Sequence, residues 1–296
     1  MGNRVGLAAG RNFSNVIEGV WRQRTAGLPD DVVMGEDLKG ERHCVITGAA
    51  DGIGRALALQ YAAAGYTITG IDLDRERAMR TQAEIINAGG RARFLIADLA
   101  SESDLGRIVA QLTQRPPIDT LIHNAGISAV GPFRTQPLPS QMAVLDVNFL
   151  APLLLTAGLL HRKQLTGSAT LILMASLSYY VGYPGAAVYA ASKDGLVSYG
   201  RSLSIALKSA GIRILTVFPG PTRTAHARRY SPDNANEGRR MSPDKLAASI
   251  YHASQRGQRV LIPGLGNGLF AMAGSLAPGL SEQAMCKMIF DKLTVE

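Results

Sequence analysis

A chain of 296 residues with 46% hydrophobic and 18% charged residues suits one large domain with a substantial core and appendages. Its formal charge of +8 fits an ordinary basic surface or attraction to acidic substrates or anionic lipid; nothing in it resembles a zinc finger or an aromatic-ribbon RNA module, so no nucleic-acid partner is expected. Cys44 and Cys286 form neither a metal-spaced cluster nor a disulfide framework; with no signal-peptide core and no uninterrupted apolar run of about 18 residues, the expectation is a cytoplasmic protein without a bound metal or an integral membrane segment.

Residues 1–40 form an N-terminal extension in which Phe13, Val16, Ile17, Val20 and Trp21 recur at helical spacing. That spacing predicts a short amphipathic helix docked on the domain or a neighbouring subunit, with peripheral membrane-surface contact or disorder as the alternatives. From residue 43, short apolar bursts alternate with helical segments. Strands are expected at 43–47, 67–72, 93–97, 120–124, 169–175 and 212–218, with a seventh at 259–262. Helices are expected at 54–64, 75–88, 105–112, 140–161, from Tyr189 to about 209, and at 243–255. This rhythm implies a three-layer α/β fold of Rossmann type, with a mostly parallel seven-stranded sheet flanked by helices. The nucleotide-binding and catalytic domain would span 41–262, including a lid at 221–240. An apolar extension, 263–296, follows: a helical stretch over 265–277, a Pro-Gly break, and an amphipathic finish with Met285, Met288, Ile289 and Leu293.

Two motifs carry chemistry. Gly48, Gly52 and Gly54 stand between the first strand and its helix, where missing side chains permit a tight turn and close approach of a pyrophosphate to helix N-terminal amides. Asp51 and Ile53 belong to that turn. Asp72 ends the second strand, where an acid can accept hydrogen bonds from the hydroxyls of adenosine ribose and repel a 2′-phosphate. Neither Asp51 nor Leu73 supplies a compensating cation, so NAD is expected as cofactor unless Arg75 or Arg77 swings in. Asp98 and Leu99 follow the third strand, Asp98 placed to meet the adenine edge or to cap a helix. Asn124, Ala125 and Gly126 end the fourth with small residues suited to backbone passing beside a cofactor.

The second motif is Tyr189-Ala-Ala-Ser-Lys193, thirteen residues after Ser176. Tyr189 and Lys193 share a helix face, so the ammonium and an oxidised nicotinamide can favour the phenolate that takes a hydroxyl proton. Ser176 can hydrogen-bond the substrate oxygen. Asn148, in an apolar helical setting, needs a polar partner and is expected to fix a water leading to Lys193.

In these motifs the chain resembles the short-chain dehydrogenase/reductase family, classical type, over about residues 41–262. Gly48, Gly52 and Gly54 match its glycine turn; Asn124-Ala-Gly126 matches its Asn-Ala-Gly element, with His123 where a second Asn is frequent. Asn148, Ser176, Tyr189 and Lys193 match its catalytic tetrad, and Pro219, Gly220 and Thr224, with Thr222 between them, match the segment that closes over the nicotinamide amide. The resemblance implies hydride transfer between NAD and a secondary alcohol or ketone, in a homotetramer or homodimer. An NADP-dependent ketoreductase and a non-catalytic dinucleotide-binding scaffold are the alternatives. Tyr179, Tyr180, Tyr183 and Pro184 are expected near the pocket wall, compatible with an apolar or aromatic substrate. The cations of the lid, among them Arg223, His226, Arg228, Arg229, Arg239 and Arg240, suit an anionic substrate or a solvated loop.

Overall fold

Runs such as Val45-Ile46 and Leu171-Ile172-Leu173 offer no polar alternate face, so a strand built from them must be covered on both sides. The computed structural model, which describes residues 41–231, 234–235 and 237–287, covers them in this way. The expected N-terminal helix, and Met288, Ile289 and Leu293 of the amphipathic finish, lie outside the described residues.

Seven strands, β1 (His43–Thr47), β2 (Thr67–Asp72), β3 (Arg91–Ile96), β4 (Ile118–His123), β5 (Leu165–Met174), β6 (Arg213–Val217) and β7 (Val260–Leu261), form one sheet in the order β3-β2-β1-β4-β5-β6-β7. Every pairing is parallel. Alternation along β1 sends Val45 into one core and Ile46 into the other. The first core is closed by α3 (Glu102–Thr113) through Ile108 and Leu112, and by α5 (Ala151–His161) through Leu155 and Leu159. The second is closed by α1 (Gly52–Ala63) through Leu57 and Tyr61, with Ile85 of α2 (Arg75–Asn87) and Ile250 of α8 (Pro243–Gln255).

The remaining elements are α4 (Leu138–Leu145), α6 (Ala187–Ala206), the short lid helix α7 (Ala225–Tyr230), and α9 (Leu265–Leu276) and α10 (Pro278–Met285) of the C-terminal extension. Strand order reverses between β1 and β4, so the carboxyl ends of these neighbours open a crevice there. The expected helix over 140–161 is not uniform: a π turn at Asp146–Leu150 separates α4 from α5. The whole helical stretch Leu138–His161 is long and apolar enough to cross a membrane. Its Ala151, Leu155 and Leu159 are buried in the first core, while Leu138, Met142 and Leu150 stay exposed. β5 begins at Leu165, earlier than the sequence indicates, because its exposed start at Gly167-Ser168 lacks the apolar signal of 169–174. β7 is reduced to two residues.

Candidate active site

The glycine turn leaves β1 with Gly48 and Gly52 at positive φ, 64° and 55°. A Cβ at Gly48 would stand 2.9 Å from the Ala125 Cα, and one at Gly54 would overlap the Gly48 carbonyl oxygen. Glycine is therefore required at both for the turn to close. Asn124 holds the turn from β4, its Nδ2 donating to the carbonyls of Thr47 (3.1 Å) and Gly48 (3.0 Å). Thr47 Oγ1 accepts in return from the amides of Asn124 and Ala125, both at 3.1 Å. The Asn-Ala-Gly element thus shapes the cradle as well as passing beside it.

Asp51 caps α1, its Oδ1 accepting from the Gly52 amide at 2.7 Å. Ile53 follows in the first turn of that helix, whose amides lack intrahelical partners and favour an anion. Asp72 Oδ2 accepts from the Ala50 amide at 2.9 Å and its Oδ1 from Asp74 N at 3.0 Å, fixing the carboxylate against the glycine turn. Arg77 does reach this region, but it is held between Asp51 (2.9 Å) and Asp74 (3.2 Å). Asp98 Oδ1 accepts from the Ala100 amide at 2.9 Å in the turn before α3, while Leu99 is buried in the first core and leaves only its backbone for a ligand.

At the ends of β4 and β5 the second group assembles. Lys193, buried on α6, donates to the Met174 carbonyl at 2.9 Å, and its Nζ lies 5.9 Å from the centre of the Tyr189 ring. Burial pushes the Lys193 ammonium down to about 8. Burial also pushes the Tyr189 phenol up to about 12, against a hydrogen bond with Ser176 that lowers it. The lysine charge by itself therefore does not produce a phenolate here. Ser176 Oγ also accepts from the Ser178 amide at 3.2 Å.

Asn148 sits in the π turn, fully buried. Its Oδ1 accepts from Ile127 N (2.8 Å), and its Nδ2 donates to Ile127 O (2.9 Å) and Ser192 Oγ (3.0 Å). The polar partner expected for it is thus protein: the side chain clamps the 124–127 segment to α6. Ser192, to which no role was assigned from sequence, carries the link onward by donating to the Tyr189 carbonyl at 2.7 Å; its place inside Tyr-Ala-Ala-Ser-Lys was the signal. A Cβ on Gly126 would lie 3.1 Å from Lys193 Nζ and 3.3 Å from Asn148 Oδ1, so both groups border the space that glycine leaves open. His123 bonds Thr156 Oγ1 through Nε2 at 2.9 Å, and burial holds its ring neutral, down to about 3.

The segment after β6 lies over the cradle. Thr224 caps α7 by accepting from the Ala227 amide at 3.0 Å, and its methyl packs toward Gly52. Thr222 donates to the Gly220 carbonyl at 3.0 Å and is bridged to Met241. Pro219 and Gly220 are half-buried, with the Asn267 amide of α9 filling the space a Cβ on Gly220 would need. The His226 residue is exposed to solvent, so the desolvation that, with the charges of Lys193 and Arg229, lowers its ring is that of a crowded surface and not of a core; Arg228 pairs with Glu237 at 2.5 Å. Of the lid cations Arg228 is thus paired with an acid, while Arg223, Arg229 and Arg239 are exposed. Of the aromatic residues expected at the wall, Tyr183 stands 6.4 Å from Tyr189, ring centre to ring centre. Tyr180 packs on Phe218, and Tyr179 is engaged by the Arg201 guanidinium on the outside.

The family model for short chain dehydrogenases matches residues 42–235. Among curated proteins, the chain is 32% identical to a 1-deoxy-11-beta-hydroxypentalenate dehydrogenase of Streptomyces exfoliatus, over 72% of this chain and 79% of that one. Among solved structures, a short-chain dehydrogenase from Sphingobium yanoikuyae in complex with NADPH superposes with a TM-score of 0.71 at 25% identity, over 84% of this chain and 96% of that one. A putative NAD(P)-dependent gluconate 5-dehydrogenase from Beutenbergia cavernae with bound NADP gives 0.66 at 29% identity, over 76% and 95%.

Proposed function

The chain belongs to the short-chain dehydrogenase/reductase family, an oxidoreductase family, and from that premise we propose that it interconverts a secondary alcohol and a ketone at Tyr189. The observation that carries this reading is the convergence of Tyr189, Ser176 and Lys193 beside the open space at Gly126. A dinucleotide fits the cradle, since the turn that Gly48 and Gly54 allow to close directs the unpaired first amides of α1 toward an anion, and Gly126 leaves space beside Lys193. Gly48, Asp51, Gly52, Ile53 and Gly54 would hold its pyrophosphate, Asp72 its adenosine ribose, and Lys193 its nicotinamide ribose. Pro219, Gly220, Thr222 and Thr224 would close over the amide. When bound, its nicotinamide accepts or supplies the hydride.

In oxidation Tyr189 Oη takes the hydroxyl proton of the substrate, and in reduction it returns one to the carbonyl oxygen. Ser176 Oγ holds the same substrate oxygen and steadies the charge that develops on it. Lys193 stabilises the phenolate, and Asn148 with Ser192 keeps α6 and the 124–127 segment in register around it. Tyr183, whose ring stands beside that of Tyr189, favours an apolar or aromatic substrate. The exposed Leu138, Met142, Leu150 and Ile205 support assembly as a homodimer or homotetramer.

Two cofactor readings each have an observation behind them. Asp72 favours NAD, because a 2′-phosphate would meet a carboxylate already fixed against the glycine turn. The NADP(H)-bound relatives favour an NADP-dependent ketoreductase, and on the comparisons alone this second reading stands ahead; Arg77 would then exchange Asp51 and Asp74 for the phosphate. Paired calorimetric titrations with NADH and NADPH at one ionic strength decide between them. Tighter NADH binding upholds the role of Asp72, and tighter NADPH binding overturns it. Dinucleotide binding without turnover of any alcohol or ketone in a broad panel would leave the non-catalytic scaffold instead.

A further inference from the structure

α9 is docked the reverse way round from an ordinary surface helix. It meets the body of the domain with small residues: Ala271 and Gly274 are buried, and a Cβ on Gly274 would overlap the Tyr180 carbonyl oxygen. Its large residues face outward. Leu265, Leu269, Met272 and Leu276 are 93%, 63%, 55% and 78% exposed, and at spacings of four, three and four they form one stripe. Leu280 of α10 is 70% exposed beyond it. Single exposed leucines need no explanation, but a continuous stripe does.

Three further observations say what kind of surface meets it. From Val260 to Ser281 the chain has no Asp, Glu, Lys or Arg. The polar side chains on α9 are satisfied at home, Asn267 donating to the Pro263 carbonyl at 2.6 Å and Ser275 to the Ala271 carbonyl at 3.0 Å. A protein partner is ordinarily oriented by directional hydrogen bonds around an apolar centre, and the stripe provides none. The basic lid, finally, abuts the start of the helix. Met241 packs against Gly264, the Arg223 amide donates to the Met241 carbonyl at 2.9 Å, and Arg223, Arg229 and Arg239 are exposed. Exposed Lys287 follows α10 at the other end.

We propose that α9 is an interfacial helix that seats this protein on an anionic lipid surface, its leucine stripe entering the acyl boundary and the lid arginines meeting the headgroups. At 12 residues the helix is too short to span a bilayer; it lies in the plane. The same helix backs the Tyr180–Tyr183 segment and touches Gly220, so the seat adjoins the mouth of the crevice. The lipid contact does not depend on the reaction assigned above.

The test is flotation of the full chain with phosphatidylglycerol vesicles and, separately, phosphatidylcholine vesicles. The expected result is binding to the first, weakened by salt and by Arg223→Ala about fivefold, and much weaker binding to the second. Leu265→Glu, at a position too exposed to disturb packing, and Leu269→Glu should each reduce binding roughly tenfold or more, with dinucleotide titration confirming the fold. No binding to phosphatidylglycerol, or binding indifferent to these substitutions, would overturn the proposal. So would a dimer in light scattering that the substitutions convert to monomer without any vesicle binding, since the stripe would then belong to a second copy of the chain.

Discussion

Tyr189→Phe removes one oxygen from a ring held between Ser176 and Tyr183. It is expected to lower kcat by about 10²–10⁴-fold while a calorimetric titration shows the dinucleotide still bound. A retained kcat would displace the phenol from the reaction. Lys193 makes a different prediction because its burial is costly. Its ammonium falls from 10.5 to about 8 on folding, equivalent to about 3 kcal/mol. Between about pH 8 and 10.5 the unfolded chain binds more protons at this group than the folded one, so its contribution makes stability rise with pH over that window. Lys193→Met should therefore be inactive yet more stable than the parent in urea at pH 7, with the advantage shrinking as pH approaches 10.5. A variant less stable at pH 7 would show that the bond to the Met174 carbonyl outweighs the desolvation. The identities of Tyr189, Lys193 and Ser176 were legible from residue type and spacing. The depressed lysine was not, because desolvation depends on what the fold packs around a group.

Each strand of the sheet, and the order of strands and longer helices, could be read from apolar bursts and intervening periodicity, whereas the short α7 within the lid could not. The π turn could not. Nothing in Asp146-Val-Asn-Phe-Leu150 departs from helical periodicity, and the extra residue is settled by the demand of Asn148 for Ile127 and Ser192 in another part of the chain. Asn148→Ala is expected to leave the Ile127 amide and carbonyl without their side-chain partner and lower the unfolding free energy by about 1–3 kcal/mol, measurable by urea titration. At the glycine turn, Gly54→Ala places a methyl on the Gly48 carbonyl oxygen. Dinucleotide affinity should drop at least tenfold, about 1.4 kcal/mol, by calorimetry; an unchanged affinity would mean that the turn is not the cradle. Asp72 read correctly as the end of β2, whereas its bond to the Ala50 amide, which makes it part of the turn itself, has no sequence signal.

At the scale of the whole molecule, the C-terminal extension is part of the site's scaffold. Ala271 packs with Leu177, Val197 and Phe218, and Met285 with Val181. Ending the chain after Ile262 should therefore loosen the Tyr180–Tyr183 wall and raise KM more than it lowers kcat, since Tyr189 and Lys193 stand on α6. Steady-state kinetics of the truncated protein check this; a kcat collapse with unchanged KM would count against it. The apolar tail was visible in composition, but which of its faces turns inward was decided by the small residues that let it approach Tyr180. The strand order has a consequence for how the molecule comes into being. β1 finds β2 across a short crossover, Cys44 beside Ile68, but on its other side Cys44 waits for Thr120. As the chain leaves the ribosome, the pyrophosphate cradle can begin to take shape while its clamp, Asn124, is still unmade. Tyr189 and Lys193 arrive later again, so the nascent protein acquires a shelf for its cofactor before it acquires any means of using it.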